Sequence, residues 1–381
     1  MLRFIWGKSY MSILHKFFSL KIEKSCKVIT FLGLKFRLSG WPIRSNRYNT
    51  GFKLPAFVPI KIRDDLISLD AINKYLRYEG YDWDSEYFKS DYDKLISGLD
   101  EASIKTVTLI IESYKTYFRL TKKAEVTPED VRNLNTLLSP AERERESLYK
   151  NFTSKICYLG YGVFRYKNYL LPVNHFESSV FLHRHYIDEL QTLDKIKHKN
   201  IIDVGGFIAD SAIVFSEYTD KRVYTFEASD RNFELMKRTL DLNKLDNIIP
   251  VKVALGAISG KRLCLCDSGS CTRIADVNSR SNTVNNEFAE SITLDDYVND
   301  NKLEVGLIKV DIEGFEQQFL KGAENTVKTQ KPALLISIYH NPDDYLHIKP
   351  VIESWNLGYK FRIICPPENR LLETLLVAEV L

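Results

Sequence analysis

The stretch Ile201-Ile202-Asp203-Val204-Gly205-Gly206-Phe207-Ile208-Ala209-Asp210-Ser211-Ala212 decides how this chain is read. Three of its first four residues are β-branched and apolar, as a buried strand requires; two glycines follow, and a helical segment comes next. A strand that runs through a glycine turn into a helix leaves backbone amides free at the helix start, where a carboxylate or phosphate is favoured. Without side chains at Gly205 and Gly206, a ligand can approach the backbone. Alone these glycines are a weak signal, because tight turns use glycine for steric reasons in countless proteins.

Glu227 strengthens it. This residue ends Tyr224-Thr225-Phe226-Glu227, the next strand, where an acidic side chain can accept hydrogen bonds from both hydroxyls of a ribose. Its structural alternative is a helix-capping carboxylate ahead of Asp230. A ribose joined to a carboxylate-bearing tail describes S-adenosylmethionine. It also partly describes NAD, but Gly-Gly-Phe-Ile-Ala-Asp lacks the three-glycine fingerprint that lets a pyrophosphate lie on the helix.

From about Lys199 onward, short apolar runs alternate with helical segments, the pattern of parallel strands joined by crossover helices. Strands are expected at 201–204, 223–226, 249–254, 307–311, 333–339, 361–364 and 374–380, with helices at 209–218, 230–243 and 314–329. The last two strands meet through Pro366-Pro367-Glu368-Asn369 without a helix and should form an antiparallel hairpin. A reversed final strand belongs to methyltransferase sheets and not to the dinucleotide-binding sheet. The segment Leu265–Ala289 lacks clear periodicity and reads as a loop over the donor, with Ser270 and Thr272 near the adenine.

Toward the amino terminus, residues 28–38 alternate around Gly33 as a short hairpin would, and from Asp64 to Lys150 apolar positions recur at helical spacing. Residues 1–150 are therefore expected to be mostly helical, 151–198 to connect, and 199–381 to hold the sheet. Gly160–Leu171 reads as a strand pair. The whole chain of 381 residues is 44% hydrophobic and 27% charged, with a net charge of +3. So small a net charge does not suggest a general nucleic-acid binder. The six cysteines lack the spacing of a disulfide scaffold or of paired metal-binding knuckles, so reduced thiols in the cytoplasm are expected and no metal cysteine. Arg3, Lys8, His15 and Lys16 interrupt the apolar residues of Met1–Leu20, and no transmembrane segment is expected.

Several motifs then fall in order: Ile202–Ala212, Tyr224–Glu227, Val253-Ala254-Leu255-Gly256, Ile292-Thr293-Leu294-Asp295, Ile308-Lys309-Val310-Asp311-Ile312-Glu313-Gly314-Phe315-Glu316 and Leu320-Lys321-Gly322-Ala323. This series resembles the FkbM family of methyltransferases. The resemblance implies a class I methyltransferase fold (a Rossmann-like, doubly wound α/β sheet), S-adenosylmethionine as donor and, usually, methylation of a hydroxyl oxygen. Phe207 and Ala209 stand where that family often has asparagine and glycine. The resemblance does not reach residues 1–150, where Thr30–Lys35 is similar to a leader found before many bacterial glycan-building transferases and tilts the acceptor toward a sugar.

A sugar hydroxyl is nearly all protonated at neutral pH, so a base or a cation must assist its attack on the donor methyl. Asp311, Glu313 and Glu316 fall at the end of the fourth strand and the start of its helix, on the edge where ligands bind in such folds. Asp311 is the first candidate for a catalytic or substrate-orienting carboxylate; Glu313 could join it in taking a proton or holding a divalent metal. His340 follows the fifth strand and could serve as base, oriented by Asp343. His175 reads as structural. The expected site is thus Asp311, Glu313 and His340 for catalysis, with Asp203, Gly205, Gly206, Ser211, Glu227 and Ser270 around the donor. The expected activity is O-methylation of a sugar or other small-molecule acceptor in glycan biosynthesis. A non-catalytic donor-binding module, motivated by Phe207, and an NAD-dependent oxidoreductase are the alternatives. The oligomeric state is not legible.

Overall fold

A computed structural model describes residues 18–23, 26–31, 34–38, 85–121, 129, 142–267, 272–276, 286–366 and 373–381. The chain divides into two compact units, Met1–Leu69 and Asp70–Leu381. In the first, β1 (Phe18–Glu23), β2 (Cys26–Phe31) and β3 (Leu34–Leu38) form an antiparallel sheet in that order. The expected hairpin is the pair β2–β3, and β1 adds a third strand that the sequence pattern did not disclose.

The second unit opens with α1 (Glu86–Ile96), whose first turn is capped by Ser85 Oγ accepting from Phe88 N at 3.1 Å. Next come α2 (Glu101–Thr121) and α3 (Glu142–Thr153), then the meander β4 (Cys157–Gly160), β5 (Val163–Tyr166) and β6 (Tyr169–Leu171). Two short helices, α4 (Ser178–Phe181) and α5 (Leu193–Ile196), flank a 3-10 segment at Arg184–Glu189.

Beyond these lie β7 (Asn200–Val204), α6 (Asp210–Phe215), β8 (Val223–Phe226), α7 (Asp230–Asn243) and β9 (Ile248–Val251). Four strands follow that leave the main sheet, β10 (Ala254–Leu255), β11 (Arg262–Asp267), β12 (Thr272–Asp276) and β13 (Asn286–Ile292), and after them comes α8 (Leu294–Asn301). The chain returns as β14 (Val305–Val310), α9 (Glu316–Gln330), β15 (Ala333–Ser337), α10 (Pro342–Ser354), β16 (Lys360–Ile364) and β17 (Leu375–Glu379).

The seven-stranded sheet runs β16-β17-β15-β14-β7-β8-β9. Every residue of β14, β15 and β17 is buried, as strands covered on both faces must be. β9, β8, β7, β14 and β15 pair in parallel, while β17 lies antiparallel between β15 and β16. This is the class I methyltransferase arrangement. Strand order reverses between β7 and β14, so the carboxyl ends of these two strands flank the crevice where such sheets take ligands.

Two features differ from the sequence expectation. Leu265–Ala289 is not an irregular loop throughout: β11, β12 and β13 join β10 in a second sheet of order β10-β13-β11-β12. Charged residues interrupt the apolar alternation of its strands; Ser270 lies outside the described residues. The second difference concerns the helices before residue 150, of which α1 and α2 pack directly on the sheet domain. Lys349 of α10 is buried and its Nζ caps the carboxyl end of α1, donating to Lys94 O (3.2 Å) and Ser97 O while pairing with Glu353 (2.7 Å). Ile363 N of β16 donates to Ser103 Oγ of α2 at 2.9 Å, and the Tyr114 and Tyr345 rings meet edge to face. Among the described residues, no helix is long and apolar enough to cross a membrane.

Candidate active site

At the end of β7 the chain turns through Gly205, whose φ is 77°. A Cβ there would lie 1.8 Å from Asp311 O, and one on Gly206 would lie 1.9 Å from Thr225 Oγ1. The neighbouring strands β14 and β8 therefore demand both glycines, and both amides donate to Phe226 O, at 3.1 and 2.8 Å. Beneath the turn Asp203 is fully buried. Its Oδ2 accepts from Ser211 Oγ (2.9 Å) and Thr225 Oγ1 (2.8 Å), and Lys309 Nζ stands 3.2 Å from its Oδ1 while donating to Gly205 O at 3.0 Å. Burial opposes charge on Lys309, but Asp203, Asp311 and Asp210 raise its pKa. Asp203, Ser211 and Lys309 thus fasten the turn to the sheet. Lys309 was missed by the sequence reading, although a lone cation inside Leu-Ile-Lys-Val was a visible signal.

Glu227 ends β8 beside that turn. Burial pushes its carboxyl up to about 7, against the pull of the Ser229, Phe207 and Ala228 amides. Its Oε1 accepts from Ser229 N at 2.7 Å, whereas the Ser229 hydroxyl is buried without a hydrogen-bond partner. A buried carboxylate next to an unpartnered buried hydroxyl fits the two hydroxyls of a ribose. The residues present therefore suit an S-adenosylmethionine-type donor, with Glu227 at the ribose and the Gly205–Asp210 turn near the amino-acid end.

A second constellation sits across the crevice. Asp311 follows β14 and His340 lies just beyond β15, brought together because β14 and β15 are parallel neighbours. His340 Nε2 is 3.3 Å from Asp311 Oδ1 and 3.9 Å from Glu313 Oε2; Nδ1 is 2.9 Å from Glu316 Oε1. On the Nε2 side neither contact is a directed hydrogen bond. Burial works against charge on the imidazole, but Glu316, Glu313 and Asp311 outweigh it and push the pKa up to about 10. Asp311 itself is raised by burial, with His340 and Lys309 opposing.

Glu316, fully buried at the start of α9, also accepts from Ile312 N at 2.9 Å. Behind it the Asp344 carboxyl is raised to about 8 by burial and by the charge of Glu316. Glu316, and not Asp343, therefore faces the His340 ring; Asp343 stands 3.6 Å from Nδ1 of His347 instead. Glu313 occupies a left-handed backbone position at φ 59°, followed by Gly314 at φ 96°.

The segment ahead of the sheet supplies a third group. His175 Nε2 and Glu177 Oε1 are 2.9 Å apart, and the His175 ring meets Phe207 edge to face at 4.9 Å. Burial opposes charge on His175, yet Glu177 and Asp210 push it up to about 9, while burial and Glu177 lift Asp210 to about 7. His175, Glu177 and Asp210 can present ligand atoms within 4.8 Å of one another, as can Asp311, Glu316 and His340. In the first of these groups His175 and Glu177 are near neighbours in sequence, and the fold brings Asp210 to them.

Several recognised motifs prove to be architectural. Asp295 accepts from Asn325 N (3.0 Å) and Thr326 N (2.6 Å), tying α8 to α9, and a Cβ on Gly322 would lie 2.0 Å from Gly256 O.

Compared with known proteins, residues 203–361 match the family model described as "Methyltransferase FkbM domain". No curated protein matches the chain. Among solved structures, the FkbM methyltransferase of Methylobacillus flagellatus KT is 19% identical, with a TM-score of 0.47, over 78% of this chain and 60% of that one. A putative O-methyltransferase from Klebsiella pneumoniae is 12% identical, with a TM-score of 0.34, over 55% of this chain and 83% of that one. The Pyrococcus abyssi tRNA (uracil-54, C5)-methyltransferase, solved with S-adenosyl-L-homocysteine, is 11% identical, with a TM-score of 0.34, over 58% and 45%. The chain thus spans 60% of the length of the Methylobacillus protein.

Proposed function

We propose that the chain, whose residues 203–361 match the model of the methyltransferase FkbM domain, transfers a methyl group from S-adenosylmethionine to a hydroxyl oxygen of a sugar, as part of glycan assembly in the cytoplasm. The observation that carries this reading is the pairing, across one crevice, of the Glu227–Ser229 polar corner with the Asp311–His340 pair.

When bound, the donor supplies an electrophilic methyl on a sulfonium. Glu227 and the Ser229 hydroxyl hold the ribose, and Asp203, Ser211 and Lys309 keep the glycine turn in register without touching ligand. Asp311 and His340 receive the acceptor, whose hydroxyl needs a base or a cation beside it. Glu316 fixes the ring through its 2.9 Å contact with Nδ1. In-line placement behind the methyl supplies much of the acceleration. The sugar class rests on the family's usual hydroxyl chemistry and on the modest net charge of +3, which disfavours a polyanionic acceptor.

The antiparallel β17 counts against the NAD-dependent alternative, because a dinucleotide sheet has no such strand between its fifth and sixth. Calorimetric titration with S-adenosylmethionine, S-adenosylhomocysteine and NAD tests the donor, and a radiolabelled-methyl screen of nucleotide-linked sugars tests the acceptor. Binding of the first two, abolished or weakened in Glu227→Ala, is the expected result. Donor binding with no turnover on any hydroxyl compound would favour the non-catalytic module.

A further inference from the structure

We propose that Asp311, Glu313 and His340 Nε2 hold one divalent transition-metal ion at the carboxyl edge of β14 and β15, with Glu316 seated behind the imidazole. The inference deepens the reading above and rests on it for the ion's role, which is to activate the acceptor hydroxyl.

Three observations carry it. The His340 side chain is only 5% exposed, yet its Nε2 has no hydrogen-bond partner, although the Asp311 and Glu313 carboxylates stand at 3.3 and 3.9 Å. A buried imidazole that merely bridged acids as a cation would turn its N–H groups onto their oxygens. Ligands that share an ion at bonds of about 2.1 Å stand roughly 3.0–3.4 Å apart, and Nε2 and Asp311 Oδ1 are separated by 3.3 Å. Glu313 Oε2, at 3.9 Å from Nε2, lies outside the compact group of Asp311, Glu316 and His340 and has to move inward to complete the set.

The second observation is the support behind the ring. Metal-bound histidines commonly offer their other nitrogen to a carboxylate that sets ring orientation and basicity. Glu316 occupies that place, fully buried and anchored by Ile312 N at 2.9 Å. The third is strain. Glu313 holds a left-handed backbone at φ 59°, which a non-glycine residue adopts only at a cost, and its Oε2 lies 3.9 Å from His340 Nε2. Two carboxylates and one imidazole suit manganese, iron, cobalt or zinc better than calcium.

With the ion in place, the acceptor oxygen binds beside the ligands and its O–H proton passes to water. That oxygen then forms the new C–O bond while the C–S bond of the donor breaks and its electron pair stays on sulfur.

The test is manganese titration of the full chain after chelator treatment, followed by the loss of the free-ion electron paramagnetic resonance signal. S-adenosylhomocysteine binding is measured by calorimetry on the same samples. One Mn2+ per chain is expected, lost in Asp311→Asn and in His340→Ala, weakened about 10–100-fold in Glu316→Gln, and unchanged in His347→Ala. Circular dichroism confirms folding, and Asp311→Asn decides the matter if His340→Ala does not fold. No saturable Mn2+ binding, or binding that survives both substitutions, overturns the site; retained S-adenosylhomocysteine binding in that case leaves the methyltransferase reading standing. Mn2+ binding without S-adenosylhomocysteine binding would instead sink the donor reading and keep the metal.

Discussion

At the residue scale, the donor side depends on a carboxyl group that burial holds against ionisation. Glu227 is raised to about 7, above its unfolded value, so the ligand-free fold loses stability as pH climbs from the ordinary carboxylate range through 7. Accepting ribose hydroxyls requires the carboxylate, so donor affinity should rise roughly tenfold per pH unit below 7 and level off above it. Calorimetry from pH 5.5 to 8.5 checks this, and Glu227→Gln should bind weakly at every pH with a flattened profile. A second residue-scale expectation concerns Asp203 and Lys309, whose charges meet in full burial. Asp203→Asn leaves the lysine without its counter-charge, and the loss should be about 3 kcal/mol in urea denaturation.

How much of this was legible follows from sequence distance. Gly205, Gly206 and Glu227 could be placed because local turn chemistry fixes them. The partner of His340 could not: Asp343 is near in sequence but on the far side of the α10 start, whereas Glu316 arrives through the register of two parallel strands. The departures at Phe207 and Ala209 gain a physical meaning as well. Both have positive φ, 45° and 65°, a region that asparagine and glycine enter at less cost.

At the scale of elements, helices α7, α8 and α9 all end on a lysine in the left-handed conformation: Lys244 at φ 54°, Lys302 at φ 51° and Lys331 at φ 49°. Each cation favours the helix carboxyl end, but each Cβ opposes the backbone twist. The second effect is larger at an exposed position, so Lys302→Gly and Lys331→Gly should each stabilise the fold by about 0.5–1 kcal/mol, read as a shifted urea midpoint with an unchanged slope. The parallel strands were legible because each is a short, mostly apolar run set between turn and helix signals. The second sheet was not, since Arg262, Arg273, Glu287 and Glu290 interrupt its strands.

At the scale of the molecule, α1 and α2 belong with the sheet. Phe88, Leu95, Val107, Ile110 and Tyr114 are buried, and Lys349 spends its charge on the end of α1. A chain beginning at Asn151 would bare the α10 face and strand the Lys349 ammonium, so it should aggregate or melt well below the full chain. Size-exclusion chromatography with thermal denaturation measures this; a monomer of undiminished stability would show that the helices are dispensable.

The place of β17 has one more consequence. It is later in the chain than β16 yet lies between β15 and β16, so during synthesis β15, buried throughout in the finished fold, offers a bare row of amides and carbonyls until β17 emerges. For that interval a ribosome-bound chain carries an adhesive edge, and its handling by chaperones should depend on residues 373–381 more than on the glycine turn. Chains truncated before residue 373 and tethered to the ribosome by a linker long enough to bring β15 out of the exit tunnel should cross-link to a holdase, and chains carrying β17 on the same linker should not.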